Sequence, residues 1–429
     1  MSVNGANGAS QFLTYRLKNG LTILSQFMPD VESVALSFHV CTGARDEHDE
    51  AIAGVSHFLE HMVFKGSQTR SAEEITLEFN NIGAEFNAFT SLEYTVYFAR
   101  VLSEQFERAL NLLSDMMYPR LNPQDFETER NVILEEIARS EDQPANVAFR
   151  RFLNTYFAEH PLGRDVLGTR ESIRNLPLEC MRDYWQRRYA ANNMILAVAG
   201  KVDFEQLVRL AEERCGHWRT GETGRQTEPY QPAAAVTRVM EKPTLKQQHL
   251  YLGSPSVSMQ DPDFYAAELL SMILGDATGS RLFWNVLQKG LAENVGASFS
   301  PFDGTGMFIV YASANPDNAP DVLRVLYAEL RHLEEEGVQE DELRRAKDKL
   351  ISHIVLDGES SYSRMRELSY SWLAEHRLKT LDEEIADVEA VTIDDIARLL
   401  KRFPLHERLV TFAYGPLDAA KLGVGVETA

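Results

Sequence analysis

The segment His57-Phe58-Leu59-Glu60-His61 constrains this chain more than any other stretch. Wound as an α-helix, it places His57 and His61 one turn apart on one face with Glu60 beside them, because side chains at i, i+3 and i+4 are surface neighbours. Imidazole nitrogens suit zinc, and a site with three protein ligands keeps a position open for water. A nearby carboxylate outside the ligand set can then take that water's proton during attack on a carbonyl. Two histidines leave the set incomplete, so a third ligand must come from elsewhere.

The stretch Pro123 to Ser140 reads as a helix and supplies a candidate. Glu129 and Glu136 are seven residues apart, hence within about 20° of each other around the axis. Phe126, Val132, Ile133 and Ile137 form its apolar side. Glu136 falls at the margin of that side, whereas Glu135 points roughly 100° further towards solvent. A carboxylate at the edge of a buried face needs a partner. Zinc would supply one, which makes Glu136 the candidate third ligand and Glu129 the carboxylate that supports the site from behind.

At 429 residues the chain suggests two or three domains, and 44% hydrophobic with 25% charged residues reads as soluble and globular. No apolar run approaches the roughly 20 residues of a membrane span, and Met1 to Ser10 lacks the basic-then-apolar pattern of a secretory signal, so the expected compartment is cytoplasmic. Cys41, Cys180 and Cys215 are widely separated and odd in number, which argues for buried thiols rather than a disulfide framework. Cys215 with His217 has no second pair nearby to complete a metal site. The net charge of −21 opposes phosphate backbones and excludes nucleic acid as the natural partner. It would favour cationic peptides if the acidic residues line a cavity; acidic helix faces that keep the chain solvated are the alternative.

In chain order, Phe12 to Leu17 and Leu21 to Gln26 read as strands joined through Lys18-Asn19-Gly20, followed by a strand over Val34 to Cys41 and an acidic loop, Asp46 to Glu50. His39 and His48 are read as structural or solvated. After the motif come a helix over Ser71 to Ile82 closed by Gly83, then two strands over Ala84 to Val101. The small and polar residues Asn87, Ala88, Thr90 and Ser91 would leave a strand edge open to an extended peptide. A helix over Glu104 to Tyr118 precedes the Glu129 helix. Residues 145 to 190 read as helical around a His160-Pro161-Leu162-Gly163 loop, and Asn193 to Gly200 as an apolar strand with a helix after Phe204. From Gly216 the pattern breaks into Gly, Thr, Gln and Pro, the best candidate linker.

The chain then repeats itself. His249 to Gly253 corresponds to the strand before the motif, Phe264 to Leu274 to the motif helix, and Met194 to Gly200 to Arg408 to Gly415, with offsets of about 213 to 215 positions. Around 270 to 273 the second copy has Leu, Ser and Met where the first has its histidines. The expected organisation is a zinc-binding catalytic domain over 1–220, a linker over 221–243 and a degenerate, metal-free repeat over 244–429.

These features together resemble the pitrilysin/insulinase family of zinc peptidases (inverzincins), in its short two-domain branch that includes mitochondrial processing peptidase and bacterial processing-peptidase-like proteins. The resemblance covers nearly the whole chain. It rests on His57 to His61 with Met62 and Lys65-Gly66, on Asn87-Ala88-Phe89-Thr90, and on Glu129-Arg130-Asn131 with Glu136. It also rests on His160 to Gly163 with Gly168-Thr169, and on Gly279-Ser280-Arg281-Leu282-Phe283. It implies an α+β fold of two tandem homologous domains, each a β-sheet backed by helices, of the LuxS/processing-peptidase-like metallohydrolase type. It further implies Zn2+ on His57, His61 and Glu136, Glu60 as general base, Glu129 behind the site, and Asn87 and Ala88 hydrogen-bonding a substrate strand. Such proteins close two chains or four domains around an unfolded peptide, which implies a homodimer or a heterodimer with a homologous subunit.

One departure stands out. The family pattern Arg-Glu-x-x-Gly-Leu-Ala-Tyr reads here Leu287-Gln288-Lys289-Gly290-Leu291-Ala292-Glu293, one residue shorter, with Leu287 and Glu293 where the arginine and tyrosine should be. A tyrosine hydroxyl beside the scissile carbonyl stabilises the developing oxyanion by roughly 3 kcal/mol, and an ionised glutamate cannot. A partner chain supplies the donor, or Arg281 or Tyr311 substitutes, or activity is weak. Two functions are therefore weighed: a zinc endopeptidase hydrolysing extended or presequence-like peptides with Glu60 activating the water, and a non-catalytic or regulatory partner subunit. The intact His57, Glu60, His61 and Glu136 favour the first.

Overall fold

The longest uninterrupted apolar strand, Met194-Ile195-Leu196-Ala197-Val198-Ala199-Gly200, is buried at every position and lies at the centre of a seven-stranded sheet, as a strand covered on both faces must. A computed structural model describes residues 2–4, 12–225, 227 and 229–425; apart from 2–4, the Met1 to Ser10 stretch lies outside the described residues. The strands are β1 (Ser2–Asn4), β2 (Phe12–Arg16), β3 (Thr22–Phe27), β4 (Ser33–Val40), β5 (Glu85–Thr90), β6 (Thr95–Leu102), β7 (Met194–Gly200), β8 (Val236–Glu241), β9 (Gln248–Ser256), β10 (Asn294–Phe302), β11 (Thr305–Ala314) and β12 (Val410–Gly415). The helices that matter below are α1 (Val55–Val63), α2 (Ala72–Asn81), α3 (Phe106–Met116), α4 (Pro123–Glu141) and α5 (Pro144–Phe157). The chain is a mixed α+β protein with two sheets in two compact units.

The first unit comprises Met1–Ala138, Arg164–Gln226 and Val355–Thr380. Its sheet runs β1-β2-β3-β7-β4-β6-β5, with β3 and β7 parallel and the other pairs antiparallel. The period-2 alternation of β4 decides what covers each face. Val34, Leu36, Phe38 and Val40 pack with Phe58 and Leu59 of α1, Leu112 and Leu113 of α3, and Phe126 and Ile133 of α4. Small Ala35, with Ala197 of β7, leaves room on the other face for the helix Ser361–Glu375, whose Met365 and Leu368 fill it. That helix is held by polar contacts as well: Arg364 Nε donates to Gln26 Oε1 at 2.8 Å, and the hydroxyls of Ser361 and Tyr370 bond those of Ser33 and Tyr94 at 2.8 Å.

The second unit comprises Arg139–Gly163, Thr227–Ile354 and Leu381–Ala429. Its five-stranded sheet runs β10-β11-β9-β12-β8, with β12 and β8 parallel. Val236–Glu241 falls inside the stretch read as a linker; it pairs in parallel along β12 as an edge strand, with Val239 packed against the core of the second unit. Leu250 and Leu252 of β9 pack with Leu269, Leu270 and Leu274 of the helix Phe264–Gly275 and with Leu323 and Leu326 of the helix Ala319–Glu336. On the opposite face α5 lies against β9 and β12. Gly253 permits this approach, since a Cβ there would come 2.5 Å from Cζ of Phe152.

Three local expectations change. Val132, read as part of the apolar side of α4, is exposed, whereas Phe126, Ile133 and Ile137 are buried, because Val132 lies a 100° step off their stripe. The acidic loop Asp46 to Glu50 turns its first two residues inward: Asp46 pairs with Arg225 at 3.1 Å and Glu47 is fully buried. Of the three free thiols only Cys215 is buried; Cys41 and Cys180 are half-buried.

Candidate metal centre

Helix α1 begins at Gly54, with φ of +88°. A Cβ there would lie 2.7 Å from the Leu167 carbonyl oxygen, and one on Gly168, at φ +71°, would lie 2.3 Å from that of Ala53. Two glycines let the Gly168-Thr169 loop cross the helix start at backbone contact. The first-turn N–H groups meet a buried carboxylate: Gly54 N–H donates to Glu47 Oε2 at 2.9 Å and Ser56 N–H to Oε1 at 3.0 Å. Burial pushes the Glu47 carboxyl up to about 7 against these two bonds. The N-terminus of the motif helix is thus capped by a residue eight positions before it.

From that anchored start His57 and His61 emerge on one face, with ring centroids 4.7 Å apart. α4 lies opposite and presents Glu129 and Glu136. The Nε2 atoms of His57 and His61 each lie 3.7 Å from Glu136 Oε2, and one ligand atom from each of the three residues falls within 4.8 Å of the others. Glu135 is exposed. His61 Nδ1 is 3.1 Å from Glu129 Oε2; a carboxylate can only accept there, so Nδ1 carries a proton and Nε2 is the ring nitrogen turned towards Glu136. Burial, then the neighbouring His61, lowers the His57 pKa to about 3, so its ring is neutral. Its Nδ1 is buried without a hydrogen-bond partner among the described residues. Two imidazole nitrogens and a carboxylate oxygen at such spacings fit a tetrahedral cation with one position left over.

Glu60 leaves α1 towards β5, where the Thr90 hydroxyl donates to its Oε2 at 2.6 Å. Burial raises the Glu60 pKa, and the Thr90 bond and His61 oppose the rise. Among the described residues β5 is the last strand of its sheet and pairs with β6 alone. Asn87 is exposed on it and its Oδ1 accepts from the N–H of half-buried Ala88 at 2.9 Å. Three contacts escaped sequence reasoning: Glu47 with α1, Thr90 with Glu60, and Lys65, whose Nζ lies 2.6 Å from Glu129 Oε1. Only Lys65 left a signal, since it follows His61 by the four residues that separate His61 from His57.

The departure residues lie in the second unit. Leu287 ends the π-helical turn Phe283–Leu287, and exposed Glu293 accepts a hydrogen bond from Gln247 Nε2. Arg281 is committed to Glu342 at 2.7 Å and to the Gly337 carbonyl, and the Tyr311 hydroxyl lies 3.2 Å from His249 Nδ1.

Residues 22–170 match the family described as insulinase (peptidase family M16), and residues 175–350 match the peptidase M16 inactive domain. This chain belongs to the M16 peptidase family. An uncharacterized zinc protease of Streptomyces coelicolor is 34% identical over 97% of this chain and 92% of its own length, and one of Bacillus subtilis 32% identical over 90% and 94%. Among solved structures, a protease from Helicobacter pylori superposes with a TM-score of 0.87 at 23% identity over 94% of this M16 chain and 99% of its own. A structure titled peptidase M16 inactive domain from Pseudomonas fluorescens gives 0.88 at 20% identity over 95% and 98%. These two establish the fold: M16-like, with two homologous domains.

Proposed function

We propose that this M16 chain is a zinc-dependent endopeptidase acting on extended peptides. The grouping of His57 Nε2, His61 Nε2 and Glu136 Oε2, with Glu60 on the same helix at the inner edge of β5, carries the reading. His57, His61 and Glu136 would hold the zinc, which when bound supplies Lewis acidity to a water and to the scissile carbonyl. Glu60 takes a proton from the attacking water and returns it to the departing amine, and its partial burial keeps its basicity above that of a solvated carboxylate. The Thr90 hydroxyl fixes one oxygen of Glu60, leaving the other to move the proton. The peptide adds along β5, with Asn87 giving up its bond to the Ala88 N–H so that the backbone there can pair. The metal-binding function is assigned to 1–220, the metal-free repeat to 244–429 and their connection to 221–243, with cationic peptides favoured by the net charge of −21.

A partner-subunit role is the second reading, supported by Leu287 and Glu293 replacing the family arginine and tyrosine. Metal analysis combined with peptide hydrolysis tests the first reading. The purified chain should hold about one zinc, as three protein ligands imply. Glu136→Gln should lose it together with hydrolysis, and Glu135→Gln should keep both. Equal loss in the two variants would remove Glu136 from the ligand set; a zinc-loaded wild type that cleaves no peptide, alone or with a homologous chain, would favour the partner-subunit role.

A further inference from the structure

Glu129 is a carboxylate whose side chain is only 5% exposed, and each of its oxygens meets one donor from α1 or the turn that ends it. His61 Nδ1 lies 3.1 Å from Oε2, and Lys65 Nζ lies 2.6 Å from Oε1. The Lys65 N–H bonds the Met62 carbonyl at 3.1 Å, so the ammonium leaves the chain in the closing turn of the motif helix, where a cation also suits the helix dipole. His57, His61 and Lys65 follow one another at intervals of four and form a single stripe. The carboxylate is therefore straddled: its plane is set by two donors from one rigid segment rather than by the histidine alone.

We propose that Lys65 is a positioning residue that sets the His61 imidazole through Glu129. Resting on the metal centre proposed above, the inference adds a residue that touches neither metal nor substrate. With Lys65 in place, Oε1 is occupied and Oε2 stays aimed at Nδ1, so the Nδ1–H tautomer persists and the Nε2 lone pair keeps its direction towards Glu136. Without Lys65 the carboxylate rotates to share its oxygens, the hydrogen bond to His61 bends, and the ring samples its other tautomer and other χ2 angles. A cation at the far side of the carboxylate thereby tightens the ligand geometry before any metal arrives.

The test is a zinc titration of the chelator-stripped full-length chain against a chromophoric competitor, with imidazole 15N spectra of the same samples. Lys65→Met should weaken zinc binding about tenfold, at the low end for residues that orient a ligand from behind. Lys65→Arg should restore it to within about threefold. In a Glu129→Gln background Lys65→Met should add no further loss, since the effect passes through that carboxylate. The 15N signals of His61 should move from the Nδ1–H pattern towards a mixture in Lys65→Met alone. Lys65→Gln carries the same measurements if the methionine variant does not fold. Unchanged affinity in Lys65→Met, or an equal further loss on top of Glu129→Gln, overturns the role of Lys65. A wild type that binds no zinc overturns the metal centre itself, and the role with it.

Discussion

Helix α1 and the helix Phe264–Gly275 occupy matching places in the two repeats, each following a strand of its sheet, yet among the described residues only α1 brings two histidines to a carboxylate. α1 turns His57 and His61 to a carboxylate-bearing helix. Its counterpart buries Leu269, Leu270, Ile273 and Leu274, and a Cβ on Gly275 would fall 2.0 Å from the Ala297 nitrogen of β10. The second helix spends the corresponding face on apolar packing. Their starts differ too. α1 is capped by buried Glu47 through backbone N–H groups, whereas Asp263, before the second helix, bonds Arg398 at 2.5 Å and Arg402 at 3.4 Å. One scaffold thus tolerates a helix with a histidine pair or one with leucines in its place, because the sheet needs only an apolar stripe from it.

The sharpest way to break the comparison is to remove Glu60, the proton acceptor proposed on α1. Glu60→Gln should retain about one zinc while peptide hydrolysis falls about 10³-fold, within the range of a lost general base. Wild-type turnover in that variant would mean that another group activates the water. Converting the second helix is expected to fail next. Leu270→His with Leu274→His puts two polar rings into a core where both leucines are at most 1% exposed, at a cost of about 4 kcal/mol or more. The variant should melt well below the wild type and still bind about one zinc per chain; a second zinc would show that the second repeat lost only its ligands and not its site.

A smaller effect separates the two caps. The Glu47 pKa rises from 4.5 to about 7 on folding. Between those values the folded chain keeps a proton that the unfolded chain has released, so this residue's contribution to stability falls as pH rises through the window, by up to about 3 kcal/mol. Urea denaturation at pH 5 and pH 7.5 should show a decline in the wild type that Glu47→Gln lacks. Parallel pH dependence in the two proteins would show that Glu47 does not titrate in this window.

Local spacing made much of the candidate site legible. An offset of four from His57 to His61 and of seven from Glu129 to Glu136 fixes shared helix faces wherever those helices go, because 100° per residue is a property of the backbone. The helix read over Ser71 to Ile82 is α2, and the structure adds a capping box between Ser71 and Glu74 at its start. Val132 escaped because an apolar residue at the edge of a stripe is assigned by its neighbours in space. Thr90 and Glu47 escaped because each meets α1 from a loop or strand whose path periodicity does not describe.

The amino-acid order by itself determined most strands and helices of the first half, the internal repeat and the pairs of residues that share a face, which follow from contacts within about one turn or one hairpin; β8, read as linker, was not among them. Only the tertiary structure decided which sheet each helix covers. The helix Ser361–Glu375, late in the chain, belongs to the unit of β4 and β7, and α5, from the early half, belongs to the unit of β9 and β12. An apolar stripe specifies that a helix must be buried but not against which partner. Small residues such as Ala35, Ala197 and Gly253 select that partner, and they do so only once folding has set them side by side.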